Sequence, residues 1–178
     1  TAVPHSKEVR TVARRYCILI VLVLGSSLVR AADVPLLLRP SWSSAERGVY
    51  STGMVWRDCN RDGIVDVFYS NGNDMARAAN SIYLFGPAKP PSSAAWFSTN
   101  LEYSGHCAVG DVNDDGFPDF LVSNYLGLGF NDPNRSDLYL NQGGLPSNSP
   151  DWYTPEEFYS FSSAFGDVDN DGDLDVAF

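Results

Sequence analysis

The sequence predicts an all-β fold assembled from repeated four-stranded antiparallel units. Three observations carry that prediction. A nine-residue acidic loop occurs three times, at Asp58–Asp66, Asp111–Asp119 and Asp167–Asp175. Each copy is followed by a short run of apolar β-formers: Val67-Phe68-Tyr69, Phe120-Leu121-Val122 and Val176-Ala177-Phe178. Tryptophan recurs in step, with Trp42, Trp96 and Trp152 spaced by 54 and 56 residues and the first loop residues spaced by 53 and 56.

Each unit offers four strands. The first leads into the loop, over Ser51–Trp56, Ser104–Val109 and Ser162–Gly166. The second leaves it, over Val65–Ser70 and Asp119–Asn124. The third is the shared pattern Ser81–Phe85 and Asp137–Asn141, and the fourth starts near Trp96 and Trp152. Turn-forming residues separate them, at Asn71-Gly72-Asn73, Lys89-Pro90-Pro91-Ser92, Gln142-Gly143-Gly144 and Pro146–Pro150. A four-stranded unit of this length cannot bury both of its faces alone, and stacking such units around an axis, as in a β-propeller, solves that problem. The units run approximately over residues 40–93, 94–149 and 150–178, the last incomplete, so the expected architecture is a partial β-propeller of two blades and the start of a third.

The loops carry the chemistry. In the third, Asp167, Asp169 and Asp171 stand at alternate positions, Gly172 follows, and Asp175 ends the run. Alternate spacing lets three side chains converge if the backbone curls, and a glycine after the third permits the sharp turn. The second copy has Asp111, Asn113, Asp115, Gly116 and Asp119; the first has Asp58, Asn60, Asp62, Gly63 and Asp66. Carboxylates held this close repel one another unless a cation lies between them, and an all-oxygen set selects Ca²⁺ over zinc or copper. The first six positions match an EF-hand loop, but position twelve is Tyr69, Val122 or Phe178 where an EF-hand needs glutamate. The loop therefore joins strand to strand.

The formal net charge of −10 opposes binding to nucleic acid or to an anionic membrane. The three loops hold 12 of the 22 acidic residues, which favours cation sites over a generally solvated surface. Of the three cysteines, Cys59 and Cys107 either pair in an oxidising compartment or remain as two free thiols. Residues 1–31 read as an export signal. Lys7, Arg10, Arg14 and Arg15 precede the apolar run Tyr16–Leu24, which is too short to span a membrane, and Val29-Arg30-Ala31 offers cleavage after Ala31. An uncleaved anchor is the alternative. Cleavage would leave 7 basic against 21 acidic residues in 32–178 and no membrane insertion. The expected location is secreted, extracellular or at the cell surface, with the periplasm also open; in such compartments Ca²⁺ is abundant.

The runs Ala164-Phe165-Gly166-Asp167-Val168-Asp169-Asn170-Asp171-Gly172-Asp173-Leu174-Asp175-Val176 and Val109-Gly110-Asp111-Val112-Asn113-Asp114-Asp115-Gly116 resemble the FG-GAP/VCBS repeat, which builds the blades of integrin-α-type β-propellers. The resemblance extends over roughly Pro40 to Phe178. It implies Ca²⁺ held by side chains at positions one, three, five and nine and a carbonyl at seven. Carried over, these are Asp58, Asn60, Asp62, Ile64 and Asp66; Asp111, Asn113, Asp115, Phe117 and Asp119; and Asp167, Asp169, Asp171, Asp173 and Asp175. Asp114 and Asn170 face solvent on this pattern. The first loop departs from it: Arg57 replaces the glycine seen at Gly110 and Gly166, and Arg61 lies inside the loop. The family ring has more blades than 178 residues supply, so the resemblance implies a fragment whose partners include the remaining blades of the same propeller, with a truncated open array as the alternative.

Two functions remain open at this level. One is a non-enzymatic, calcium-rigidified scaffold that binds an extracellular protein or carbohydrate, as in adhesion. The other is a blade module of a secreted enzyme, such as a polysaccharide-degrading one, with its chemistry elsewhere. No nucleophile elbow is present, His106 reads as a strand residue, and acidic clusters repeated three times do not resemble an active site built once. The repeated tryptophans could stack on sugars but fit packing between blades better. Asn134-Arg135-Ser136 fits a glycosylation acceptor in a eukaryotic secretory route.

Overall fold

The apolar runs after the loops become the central strands of successive antiparallel sheets. The computed structural model describes residues 40–129 and 131–178; the export-signal reading of 1–31 falls outside them. The first sheet has the order β1-β2-β3-β4, with β1 Ser51–Arg57, β2 Asp66–Asn71, β3 Ser81–Tyr83 and β4 Trp96–Phe97. The second repeats it with β5 Tyr103–Gly110, β6 Asp119–Leu126, β7 Asp137–Tyr139 and β8 Trp152–Tyr153. A third, two-stranded sheet pairs β9 Ala164–Gly166 with β10 Asp175–Ala177. Among the described residues there is no helix, and the sheets do not close into a barrel. The fold is the all-β succession of four-stranded blades that the sequence predicts.

Each acidic loop lies at the same place, between the first two strands. The residue before the loop pairs with the residue that ends it: Arg57 with Asp66, Gly110 with Asp119 and Gly166 with Asp175. Position four of each loop takes a left-handed backbone, with φ of 61° at Arg61, 56° at Asp114 and 61° at Asn170. Gly63, Gly116 and Gly172 follow at φ 85°, 88° and 99°, a region that a side chain rarely tolerates.

The core forms between the first two sheets. Phe68 of β2 stacks on Phe120 of β6, with ring centroids 4.5 Å apart and planes 8° from parallel. Trp96 lies 5.5 Å edge-on to Tyr139 and 6.1 Å from Phe68, and Cys59, Ile82 and Val122 complete the cluster. Trp96 thus serves packing between blades. Trp152 is half-exposed, and Trp42, outside any strand, packs on Tyr83 and Phe85. Burying each large side chain contributes about 1.5–3 kcal/mol, so each sheet stabilises the other through this shared face.

Backbone contacts reinforce this packing. Thr52 Oγ1 donates to the Ser104 carbonyl at 2.6 Å, and Ser70 Oγ donates to the Gly105 carbonyl at 2.7 Å. A side chain at Gly105 would start 2.3 Å from the Phe161 carbonyl oxygen, so glycine is required where the second unit meets the third. Nearby lies a buried polar network. Tyr139 donates to Asn100 Oδ1 at 2.7 Å, Asn100 Nδ2 donates to Asp137 Oδ2 at 2.7 Å, and Ser104 Oγ donates to Asn124 Oδ1 at 3.0 Å. Burial pushes the Asp137 carboxyl up to about 6, with the neighbouring Glu102 charge adding to the rise. Cys59 and Cys107 are both free thiols, which settles the choice left by the sequence.

Candidate metal centre

The three loops share one hydrogen-bond pattern. The first aspartate accepts from two amides: Asp58 from those of Asp62 (3.1 Å) and Gly63 (2.8 Å), Asp111 from Asp115 (3.1 Å) and Gly116 (2.8 Å), and Asp167 from Asp171 (3.1 Å) and Gly172 (3.2 Å). Position three accepts from the amide of position five, through Asn60, Asn113 and Asp169. Position five accepts from the amide of position seven: Asp62 from Ile64, Asp115 from Phe117, and Asp171 from Asp173. These short-range bonds fix the side chains at positions one, three and five against the backbone of one turn.

Position nine closes the ring. Asp66 Oδ2 accepts from the Cys59 amide, Asp119 Oδ2 from Val112 and Asp175 Oδ2 from Val168, each at 2.9 Å. In the two complete sheets the second oxygen has another task. Asp66 Oδ1 accepts from the Phe85 amide and Asp119 Oδ1 from the Asn141 amide, each at 2.8 Å. Position nine therefore ties the loop to the end of the third strand, a role the sequence pattern did not reveal. Asp66 and Asp119 are fully buried, while Asp175 is exposed. Burial pushes the Asp66 and Asp119 carboxyls up; amide donors oppose this, and the like charges at positions five and one add to the rise.

The loops differ in how much repulsion they leave uncompensated. In the first two, Asn60 Nδ2 donates to Asp62 Oδ2 and Asn113 Nδ2 donates to Asp115 Oδ2, both at 3.1 Å. Asp169 has no hydrogen to donate. Asp167, Asp169 and Asp175 bring carboxylate oxygens within 4.8 Å of one another; Asp171 stands outside that group. Among the described residues no Lys or Arg forms an ion pair with them. This set fits a hard divalent cation: oxygen donors, converging, with no internal counter-charge. Asp114 and Asn170 are exposed, and so are Asp115 and Asp171 beside them.

A β-repeat protein with an acidic loop at the first hairpin of every sheet is the class these features define. Residues 58–122 match the family model described as FG-GAP-like repeat. The match runs from the first loop through the second and into β6. A comparison with curated proteins found no match.

Proposed function

We propose that the protein is a non-enzymatic, extracellular binding module whose blades are stiffened by Ca²⁺. The observation that carries this reading is the triad of Asp167, Asp169 and Asp175, whose oxygens converge within 4.8 Å. Bound Ca²⁺ would supply positive charge at the centre of each turn. The side chains at positions one, three, five and nine would hold it, with the carbonyls of Ile64, Phe117 and Asp173. The loop would then clamp the first two strands, leaving other loops free for recognition of an extracellular protein or carbohydrate. Further blades of the same propeller would cover the third sheet, where Val176 and Phe178 are exposed.

Affinity is expected to fall from the third loop to the second to the first. The third has four ligand carboxylates, and the first carries Arg57 and Arg61 beside three. Thermal melting in Ca²⁺ and in chelator tests the central claim, and an unchanged melting temperature would refute it. Calcium titration of Asp171→Ala and Asp62→Ala tests the ranking: Asp171→Ala should remove the tighter phase, and a first site that proved tightest would overturn it.

A further inference from the structure

An open cleft of about 430 Å³ lies between the first and second acidic loops, within the size range of small-molecule sites, about 300–1,000 Å³. Its walls include Trp56, Arg57, Arg61, Phe117 and Pro118, together with Asp58 and Asp111. Residues 40–178 contain six basic side chains in all, and two of them meet here. Among the described residues neither Arg57 nor Arg61 forms an ion pair. The Arg61 guanidinium reaches across from the first loop and lies 5.2 Å over the Phe117 ring of the second. It sits where a side chain on Gly116 would begin, 2.6 Å from Arg61 Nη1. Asp58 and Asp111 aim their oxygens into their own loops, where backbone amides occupy them. Asp58 and Asp111 are thus oriented into their turns, while no carboxylate pairs with either guanidinium among the described residues.

The fold does not require these arginines. Arg57 ends its strand where the other two sheets have Gly110 and Gly166. Arg61 takes a left-handed backbone where the other loops have Asp114 and Asn170, residue types better suited to that conformation. Arg61, stacked on Phe117 and without an ion pair among the described residues, lines the cleft with N–H donors that an anionic ligand can use. Trp56 is 53% exposed, and its indole, held against Phe85 at 6.1 Å, gives the cleft a rigid flat wall.

We propose that this cleft binds a carboxylate-bearing oligosaccharide, with Arg57 and Arg61 on the carboxylate and Trp56 against a sugar face. A guanidinium matches a carboxylate in two-point geometry, and an aromatic plane takes the apolar face of a sugar ring while its hydroxyls stay wet. A chain with net charge −10 repels a dense polyanion, which favours one carboxylate per repeating sugar over nucleic acid. The proposal deepens the binding-module reading and names its ligand class, but it does not depend on the metal.

The test is calorimetric titration of the full chain with a hyaluronan tetrasaccharide, in Ca²⁺ and separately in chelator. Neutral cellotetraose and a tetra-aspartate peptide serve as comparisons. Wild-type protein should bind the uronate sugar, with cellotetraose and the peptide each about tenfold weaker or more. Arg57→Gly with Arg61→Asn, which copies the third unit, should lose about tenfold or more while melting within a few degrees of wild type. Arg57→Lys alone, which keeps the charge but loses the two-point geometry, should weaken binding less and gives a readout if the double variant misfolds. Equal binding by the double variant or by cellotetraose would overturn the proposal, as would equal binding by the peptide. Arginine-dependent binding with calcium-independent melting would remove the metal reading and leave this one standing.

Discussion

Asp119→Asn isolates the structural role of position nine from any metal. Asp119 is fully buried, with Oδ2 accepting from the Val112 amide at 2.9 Å and Oδ1 from the Asn141 amide at 2.8 Å. Asparagine keeps the shape but turns one acceptor into an NH₂ group. Whichever way it rotates, one backbone N–H then faces another donor. A buried donor left without a partner costs about 1–3 kcal/mol, and the remaining bond loses its charge assistance. Removing a buried charge repelled by Asp115 and Asp111 offsets part of this. The expected net loss is about 2 kcal/mol, or roughly 4–8 °C in melting temperature for a domain of this size. Asp175→Asn is the control: it is exposed and accepts only from the Val168 amide, so its loss should stay below about 1 kcal/mol. Both variants are to be melted in chelator, which removes the ion from the comparison. Equal losses in the two variants, or none at Asp119, would refute the assignment of position nine as the tie between loop and third strand.

Two further outcomes follow from the packing between sheets. Phe120→Ala should cost about 3–5 kcal/mol in urea unfolding, because it opens a cavity and removes the partner stacked on Phe68. Because the Asp137 pKa of about 6 in the fold exceeds its ordinary value of 3.8, its contribution favours folding at low pH and is lost as pH rises through about 6. Relative to Asp137→Asn, wild-type protein should gain about 1 kcal/mol between pH 7 and pH 5. A flat difference across that range would show that Asp137 is solvated.

Much of the fold is legible locally. The loop signature, its spacing and the β-formers after it place β1, β2, β5 and β6 within a residue or two. The third strands were expected to run to Phe85 and Asn141, but pairing stops at Tyr83 and Tyr139. The reason is visible at the ends. The amides of Phe85 and Asn141 turn toward the position-nine carboxylates. That interaction joins residues 19 and 22 apart in sequence, and no local pattern announces it. The three tryptophans carry equal weight in the sequence yet occupy different surroundings. Trp96 is buried because Phe68 and Tyr139 flank it from two sheets, while Trp152 keeps 40% of its surface exposed.

Residue spacing by itself determined where the chain turns, which side chains line each turn and which segments extend. Those features depend on a few neighbouring dihedral angles and on alternation along one strand. Only the tertiary structure decided which carboxylates are buried, which thiols stay free and which arginines share a cleft. Each of those outcomes depends on where a second sheet lies, and a sheet some fifty residues away exerts its effect through contact, which spacing along the chain does not encode.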